Sequence, residues 1–215
     1  MRVSLLQLDS SLDAPQPDRV TRAADLVRAQ SRADLVVLPE LWAHGAFAYQ
    51  RWADTAEPIG GPTITAIAEA ARDLGATVHA GSIIERAEDG KLYNTAVTLS
   101  SAGDVIGHYR KLHRFGFGQG EATALAAGSE LVPVDLPGTR TGIATCYDLR
   151  FPELFRGLLD RGAELFVISS AWPDKRIRHW RLLAQARAVE SQGYVLACNA
   201  AGAHAGVRLG GGSLV

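Results

Sequence analysis

Three residues far apart in the chain, Glu40, Lys111 and Cys146, stand at corresponding places in the local pattern, each just past a short apolar run. Glu40 follows Ala33 to Leu38 and the strand-breaking Pro39; Lys111 follows Val105 to Tyr109; Cys146 closes Gly142 to Thr145. Singly, each has an ordinary reading. A cysteine ending an apolar run is commonly a small buried hydrophobe, a glutamate after Leu-Pro can cap the next segment, and a lysine is commonly a solvated charge. As a set they supply what cleavage of an amide needs: a strong nucleophile, a base that takes its proton and returns it to the leaving nitrogen, and a positive charge where the oxyanion forms. Cys146, Glu40 and Lys111 match these roles in that order. For the thiol to be deprotonated, either the glutamate must be raised toward it or Lys111 must lower it, and burial and a nearby ammonium push in those directions.

The elements needed to bring the three together are of α/β type. Val3 to Leu8 reads as a strand, and Asp18 to Gln30 as an amphipathic helix with Val20, Ala23, Ala24 and Val27 at helical spacing. Ala33 to Leu38 is a second strand. Thr63 to Leu74 is a helix opened by Pro62 and capped by Gly75. Thr77 to Glu85 and Tyr93 to Leu99 form a hairpin around Asp89-Gly90, and Val105 to Tyr109 adds a third strand, so the middle of the chain is antiparallel. Strand and helix alternation returns with Gly142 to Thr145, a helix from Pro152 to about Arg161, a strand at Leu165 to Ser169, a helix at Arg176 to Gln192 ended by Gly193, and a strand at Tyr194 to Cys198. Phe115 to Gly120 is a flexible loop inside the domain. In open α/β sheets, chemistry collects where loops converge at the carboxyl ends of strands, which is where the three residues fall.

The 215 residues, 47% hydrophobic and 21% charged, suit a single domain over 1–215. The formal charge is −1 with no charge blocks, which gives no footprint for nucleic acid or an anionic membrane. No stretch approaches the roughly 20 apolar residues of a membrane span, and the first residues lack signal-peptide character. Two cysteines make no disulfide framework, so reduced thiols in a cytoplasmic protein are expected. The six histidines show no paired ligand spacing, and neither a metal nor another cofactor is expected.

Longer segments around these residues resemble the nitrilase superfamily of carbon-nitrogen hydrolases. Leu38-Pro39-Glu40-Leu41-Trp42 is similar to its glutamate motif, Tyr109-Arg110-Lys111-Leu112-His113 to its lysine motif, and Thr145-Cys146-Tyr147-Asp148-Leu149-Arg150-Phe151-Pro152-Glu153-Leu154 to its cysteine motif. The likeness continues through Ser170-Ala171-Trp172-Pro173, His179-Trp180, Arg187-Ala188-Val189-Glu190 and Asn199-Ala200-Ala201-Gly202. The resemblance implies a four-layer α-β-β-α sandwich, commonly dimeric, and a metal-free mechanism. Glu40 would be general base, Lys111 with the backbone N–H of Tyr147 would hold the oxyanion, and Cys146 would form a thioester. A second family glutamate matches Glu121, ahead of Gly128, and would orient Lys111 and the substrate nitrogen; Glu130 is a competitor for that assignment.

Other residues take supporting readings. Asp148, Arg150 and Glu153 would brace the turn after Cys146, with Arg150 able to pair bidentately with a carboxylate. Trp172 would wall the pocket and Asn199 would line it, while Cys198 is structural and His113 lies behind the lysine. The chain ends at Gly210 to Val215, where the family continues, so the sandwich is expected to lack the usual C-terminal segment. The motif form resembles the omega-amidase-like branch, acting on small amides of dicarboxylic acids. Alternatives are a carbamoyl-amine hydrolase or nitrilase of the same superfamily, or a catalytically silent interaction module.

Overall fold

A computed structural model describes residues 1–215. In chain order the elements are β1 (Val3–Leu5), α1 (Gln16–Arg28), β2 (Leu35–Val37), α2 (Trp52–Thr55), α3 (Pro62–Leu74), β3 (Thr77–Arg86), β4 (Leu92–Leu99), β5 (Val105–Arg110), α4 (Glu121–Ala124), β6 (Pro133–Leu136), β7 (Thr139–Thr145), α5 (Pro152–Leu159), β8 (Leu165–Ser170), α6 (Ile177–Ser191), β9 (Tyr194–Asn199), β10 (Ala203–His204) and β11 (Val207–Arg208). They form two main sheets. The first runs β1-β2-β3-β4-β5, parallel from β1 to β3 and antiparallel onward; the second runs β6-β7-β8-β9, with β6 antiparallel and the rest parallel.

Side-chain alternation along β2 explains why two sheets stack. Val36 is buried with Val20 and Val27 of α1 and Ile64 and Ile67 of α3, whereas Leu35 and Val37 belong to the core shared with Ile143, Val167 and Leu196 of the second sheet. The outer face of the second sheet is covered by α5 and α6, through Leu154, Phe155, Leu158, Trp180 and Ala184. The layers are therefore α1/α3, sheet, sheet, α5/α6: the four-layer α-β-β-α sandwich expected from the sequence.

Differences from the sequence reading lie at element ends and in a few short elements. Leu6 to Leu8 does not continue β1, although Leu6 N–H still reaches Val37 O at 2.9 Å. Helix α6 is closed by Gln192 in the left-handed conformation (φ 51°), one residue before the expected Gly193, with its N–H bonded to Val189 O. Strand β6 and the β10-β11 hairpin were not anticipated, for β6 opens on a proline and the hairpin strands have two residues each.

Candidate active site

Glu40 leaves β2 across a tight contact with the neighbouring strand. At Gly81 (φ +69°) β3 bulges, and a Cβ there would lie 1.9 Å from Pro39 O, so only glycine lets the Leu38-Pro39 turn pass. Leu41, also left-handed at φ 46°, anchors the turn by donating its N–H to Ser82 O and Oγ, both at 3.1 Å. The Glu40 carboxylate then crosses to the second sheet, where Oε2 accepts the Ala171 N–H at 3.0 Å just past β8.

Lys111 follows β5, its backbone N–H bonded to Asn94 O at 2.9 Å. The chain folds back through Gly128, whose N–H meets Lys111 O at 3.0 Å and where a Cβ would sit 2.0 Å from Arg110 O. Between these points α4 delivers Glu121. Lys111 Nζ donates to Glu40 Oε1 at 2.7 Å and to Glu121 Oε1 and Oε2 at 3.0 and 2.8 Å, with all three side chains buried. Burial alone would neutralise the ammonium, yet Glu121 and Glu40 hold its pKa well above the ordinary lysine value. Burial, with repulsion from Glu40, also raises Glu121, against the attraction of Lys111.

Cys146 begins a 3₁₀ turn, Cys146–Arg150, directly after β7 and is itself left-handed at φ 46°. A β-carbon residue held there stores backbone strain, which projects the thiol out of the sheet. Behind it Asp148 is fully buried and accepts four bonds: from Tyr109 OH at 2.7 Å, Thr145 N–H at 3.0 Å, His113 N–H at 3.0 Å and His113 Nδ1 at 2.7 Å. This carboxylate joins the cysteine turn to the segment around Lys111. His113 also stacks on Phe151, with ring centroids 3.6 Å apart.

The thiol departs from expectation. Its pKa is pushed up, first by burial and then by the Glu40 carboxylate, and the opposing pull of Lys111 is too small to reverse this. Lys111 therefore does not produce a resting thiolate. Its charge is largely matched by two glutamates.

Glu40, Lys111, Glu121 and Cys146 meet at one cavity, walled by Phe47, Phe115, Tyr147 and Trp172 and flanked by Arg150 and Arg176. Glu130 lies exposed, away from the lysine. Three supporting assignments are corrected. Arg150 has no carboxylate partner: it packs over Trp172, 5.0 Å from the ring, and reaches only His179 Nδ1 at 3.5 Å. The brace expected of it comes from Arg187 on α6, which donates Nε and Nη2 to Leu149 O at 3.1 and 2.9 Å. Asn199 does not line the cavity; Oδ1 accepts the Trp172 N–H at 2.6 Å and Nδ2 donates to Gly211 O at 2.6 Å, so it fixes Trp172 from behind. Glu153 is exposed in the first turn of α5, where its charge suits the helix terminus, and its carboxylate forms no hydrogen bond or ion pair with the cysteine turn. Cys198 is buried against Leu6 O and Val37 O.

Asn94 on β4 was missed by the sequence reading. Its Nδ2 donates to Glu40 Oε1 at 2.8 Å and to Glu121 Oε1 at 2.6 Å. The available signal was a carboxamide, a larger polar group than the threonines beside it, inside a buried strand. No group of three or more His, Cys, Asp or Glu side chains is arranged to hold a metal ion.

The fold and the cysteine, lysine and glutamate set define a hydrolase of carbon-nitrogen bonds. The profile of the carbon-nitrogen hydrolase family matches residues 2–215, and the chain belongs to that family. It is 44% identical over 207 residues to the 2-oxoglutaramate amidase of Paenarthrobacter nicotinovorans, an alignment covering 92% of this chain and 70% of that protein. Among solved structures it is similar to a CN-hydrolase superfamily protein of Xanthomonas campestris with an arsenic adduct in its active site (TM-score 0.87, 32% identity, covering 99% of this chain and 81% of the other). A variant of the Nesterenkonia sp. AN1 amidase carrying the acetamide moiety of fluoroacetamide on its active-site cysteine is also similar (TM-score 0.87, 25% identity, covering 100% and 81%). No helix is long and apolar enough to cross a membrane.

Proposed function

We propose that this chain is an amidase converting a small linear amide with an anionic far end into the corresponding acid and ammonia. The observation that carries this reading is the convergence of Lys111 Nζ on Glu40 and Glu121 in the cavity that also receives the strained Cys146. In this scheme Glu40 takes the Cys146 proton as sulfur attacks the amide carbon. The oxyanion is stabilised by Lys111 and the Tyr147 N–H. Collapse breaks the C–N bond, Glu40 returns the proton to the departing ammonia, and a thioester remains. Water, deprotonated by Glu40, then releases the acid and the thiol recovers a proton. Because the resting thiol is raised, proton transfer accompanies attack and no standing thiolate is needed.

Arg150 and Arg176 favour an anionic far end: both flank the cavity and neither is paired with a carboxylate. 2-Oxoglutaramate, named by a relative, has that chemistry, with an amide at one end and a carboxylate at the other. No comparable feature favours the carbamoyl, nitrile or silent-module readings. Residues 1–215 act as one domain in this proposal, consistent with the core shared by both sheets. A homodimer through the outer face of α6 is supported by Leu182 and Val189, exposed at 64% and 78%, and a cytoplasmic setting by two free thiols. The test is ammonia release from dicarboxylic acid monoamides, ureido acids and nitriles by wild type and Cys146→Ala. Release from the monoamides that disappears in Cys146→Ala is expected; a folded sample releasing nothing from any of them overturns the proposal.

A further inference from the structure

The geometry points to Asn94 as a positioning residue that divides its two amide hydrogens between Glu40 and Glu121, holding both carboxylates in place around a single lysine. The role is specified by what surrounds the side chain. Asn94 is buried at 2% exposure, and its Nδ2 lies 2.8 Å from Glu40 Oε1 and 2.6 Å from Glu121 Oε1. A flipped amide would aim Oδ1 at two acceptors, so the orientation is fixed by its neighbours.

Lys111 alone is an insufficient counterion, because one positive charge faces two buried carboxylates. Every further donor supplied to the pair lowers the cost of keeping both charged. The Ala171 N–H serves Glu40 Oε2 and the Phe115 N–H serves Glu121 Oε2, at 3.0 and 2.7 Å; Asn94 is the neutral side chain that serves both. An aspartate would add a third negative charge, and serine would keep at most one donor. The titratable groups facing the pair are Lys111, Cys146 and Tyr49, with Asp148 acting on Lys111 from farther away.

This inference rests on the proposed role of Glu40 as base, through which Asn94 would act. Removing the donor makes the carboxylates easier to protonate, so the proton-accepting form of Glu40 is lost at higher pH and the acid limb of Cys146 reactivity moves upward. The experiment follows iodoacetamide alkylation of Cys146 against pH by peptide mass spectrometry, in wild type, Asn94→Ser and Asn94→Asp, with Cys198 as internal reference. An upward shift of the acid limb by about half a unit in Asn94→Ser and more in Asn94→Asp is expected, with kcat/KM reduced about 10- to 100-fold, as for outer partners of metal ligands. A merely structural role would lower stability and leave the limb in place.

One measurement needs no variant. In ¹⁵N-labelled wild type, the Asn94 carboxamide resonances are expected to shift with the same midpoint as the acid limb. A folded variant whose limb superimposes on wild type, or carboxamide resonances that stay constant across the limb, overturns the assignment. If wild-type Cys146 labels no faster than Cys198 at any pH, the amidase reading fails instead; the resonances then decide the Asn94 contacts against carboxylate protonation.

Discussion

Tyr109 donates its hydroxyl hydrogen to Asp148 Oδ2 at 2.7 Å, and this bond ties the strand leading to Lys111 to the turn that begins at Cys146. The same hydroxyl accepts the Leu112 N–H at 3.1 Å, so it serves both sides of the junction. Tyr109→Phe keeps the ring's packing but removes a donor from a buried carboxylate and an acceptor from a backbone amide. A stability loss of about 2 kcal/mol is expected in urea denaturation, the scale of one hydrogen bond to a charged group. Ammonia release should fall as well, because Cys146 and Lys111 lose their common reference. Unchanged stability would show that Asp148 is held by Thr145 and His113 alone.

Cys146 combines a nonglycine side chain with φ 46°, a conformation costing roughly 1–2 kcal/mol for an L-residue. Cys146→Ala removes the thiol but retains the strain, whereas Cys146→Gly removes both. Both variants are expected to lose ammonia release, and Cys146→Gly should be the more stable by about 1 kcal/mol after allowing for the greater freedom of glycine when unfolded. Paired denaturation curves check this. Equal stabilities would mean that the turn relaxes when the thiol is absent.

The positions of Glu40, Lys111 and Cys146 were legible because each follows an apolar run interrupted by a polar or strand-breaking residue, and strand ends are where such patterns are most visible. The family motif added Glu121, which no periodicity distinguishes from a loop charge. Asn94 left no comparable mark, since its meaning depends on two carboxylates that arrive 54 residues before it and 27 after. The brace expected of Arg150 falls to Arg187 for a similar reason. Adjacency in sequence suggested Arg150 as the brace, but α6 brings Arg187 to Leu149 O from 38 residues away. The raised Cys146 thiol was also not readable, because it depends on the balance of burial, Glu40 and Lys111 in three dimensions.

Lys111→Met tests that balance through stability. The variant leaves Glu40 and Glu121 buried without their shared cation, a change expected to cost about 3–5 kcal/mol at pH 8. Protonation relieves it. With their ammonium gone, these carboxylates bind protons more readily in the folded state than in the unfolded chain, so stability falls as pH rises through their folded pKa. The deficit relative to wild type should therefore shrink between pH 8 and pH 5. A deficit independent of pH would place the loss in packing around the lysine stem instead of in charge.

Arg176 tests the anionic end of the substrate. Its guanidinium lies 5.5 Å from the Phe115 ring centroid beside the cavity, forming no ion pair that a substrate carboxylate would have to break. Arg176→Gln keeps a polar, hydrogen-bonding side chain while removing the charge. For a dicarboxylic acid monoamide, KM should rise about tenfold, corresponding to roughly 1.4 kcal/mol, with kcat changed little because the lost contact is far from the reacting carbonyl. A neutral amide of similar size should show no such change. Steady-state kinetics on the two substrates separates the outcomes: equal effects on both would assign Arg176 to the shape of the cavity, and an effect confined to kcat would place it at the chemistry of Cys146.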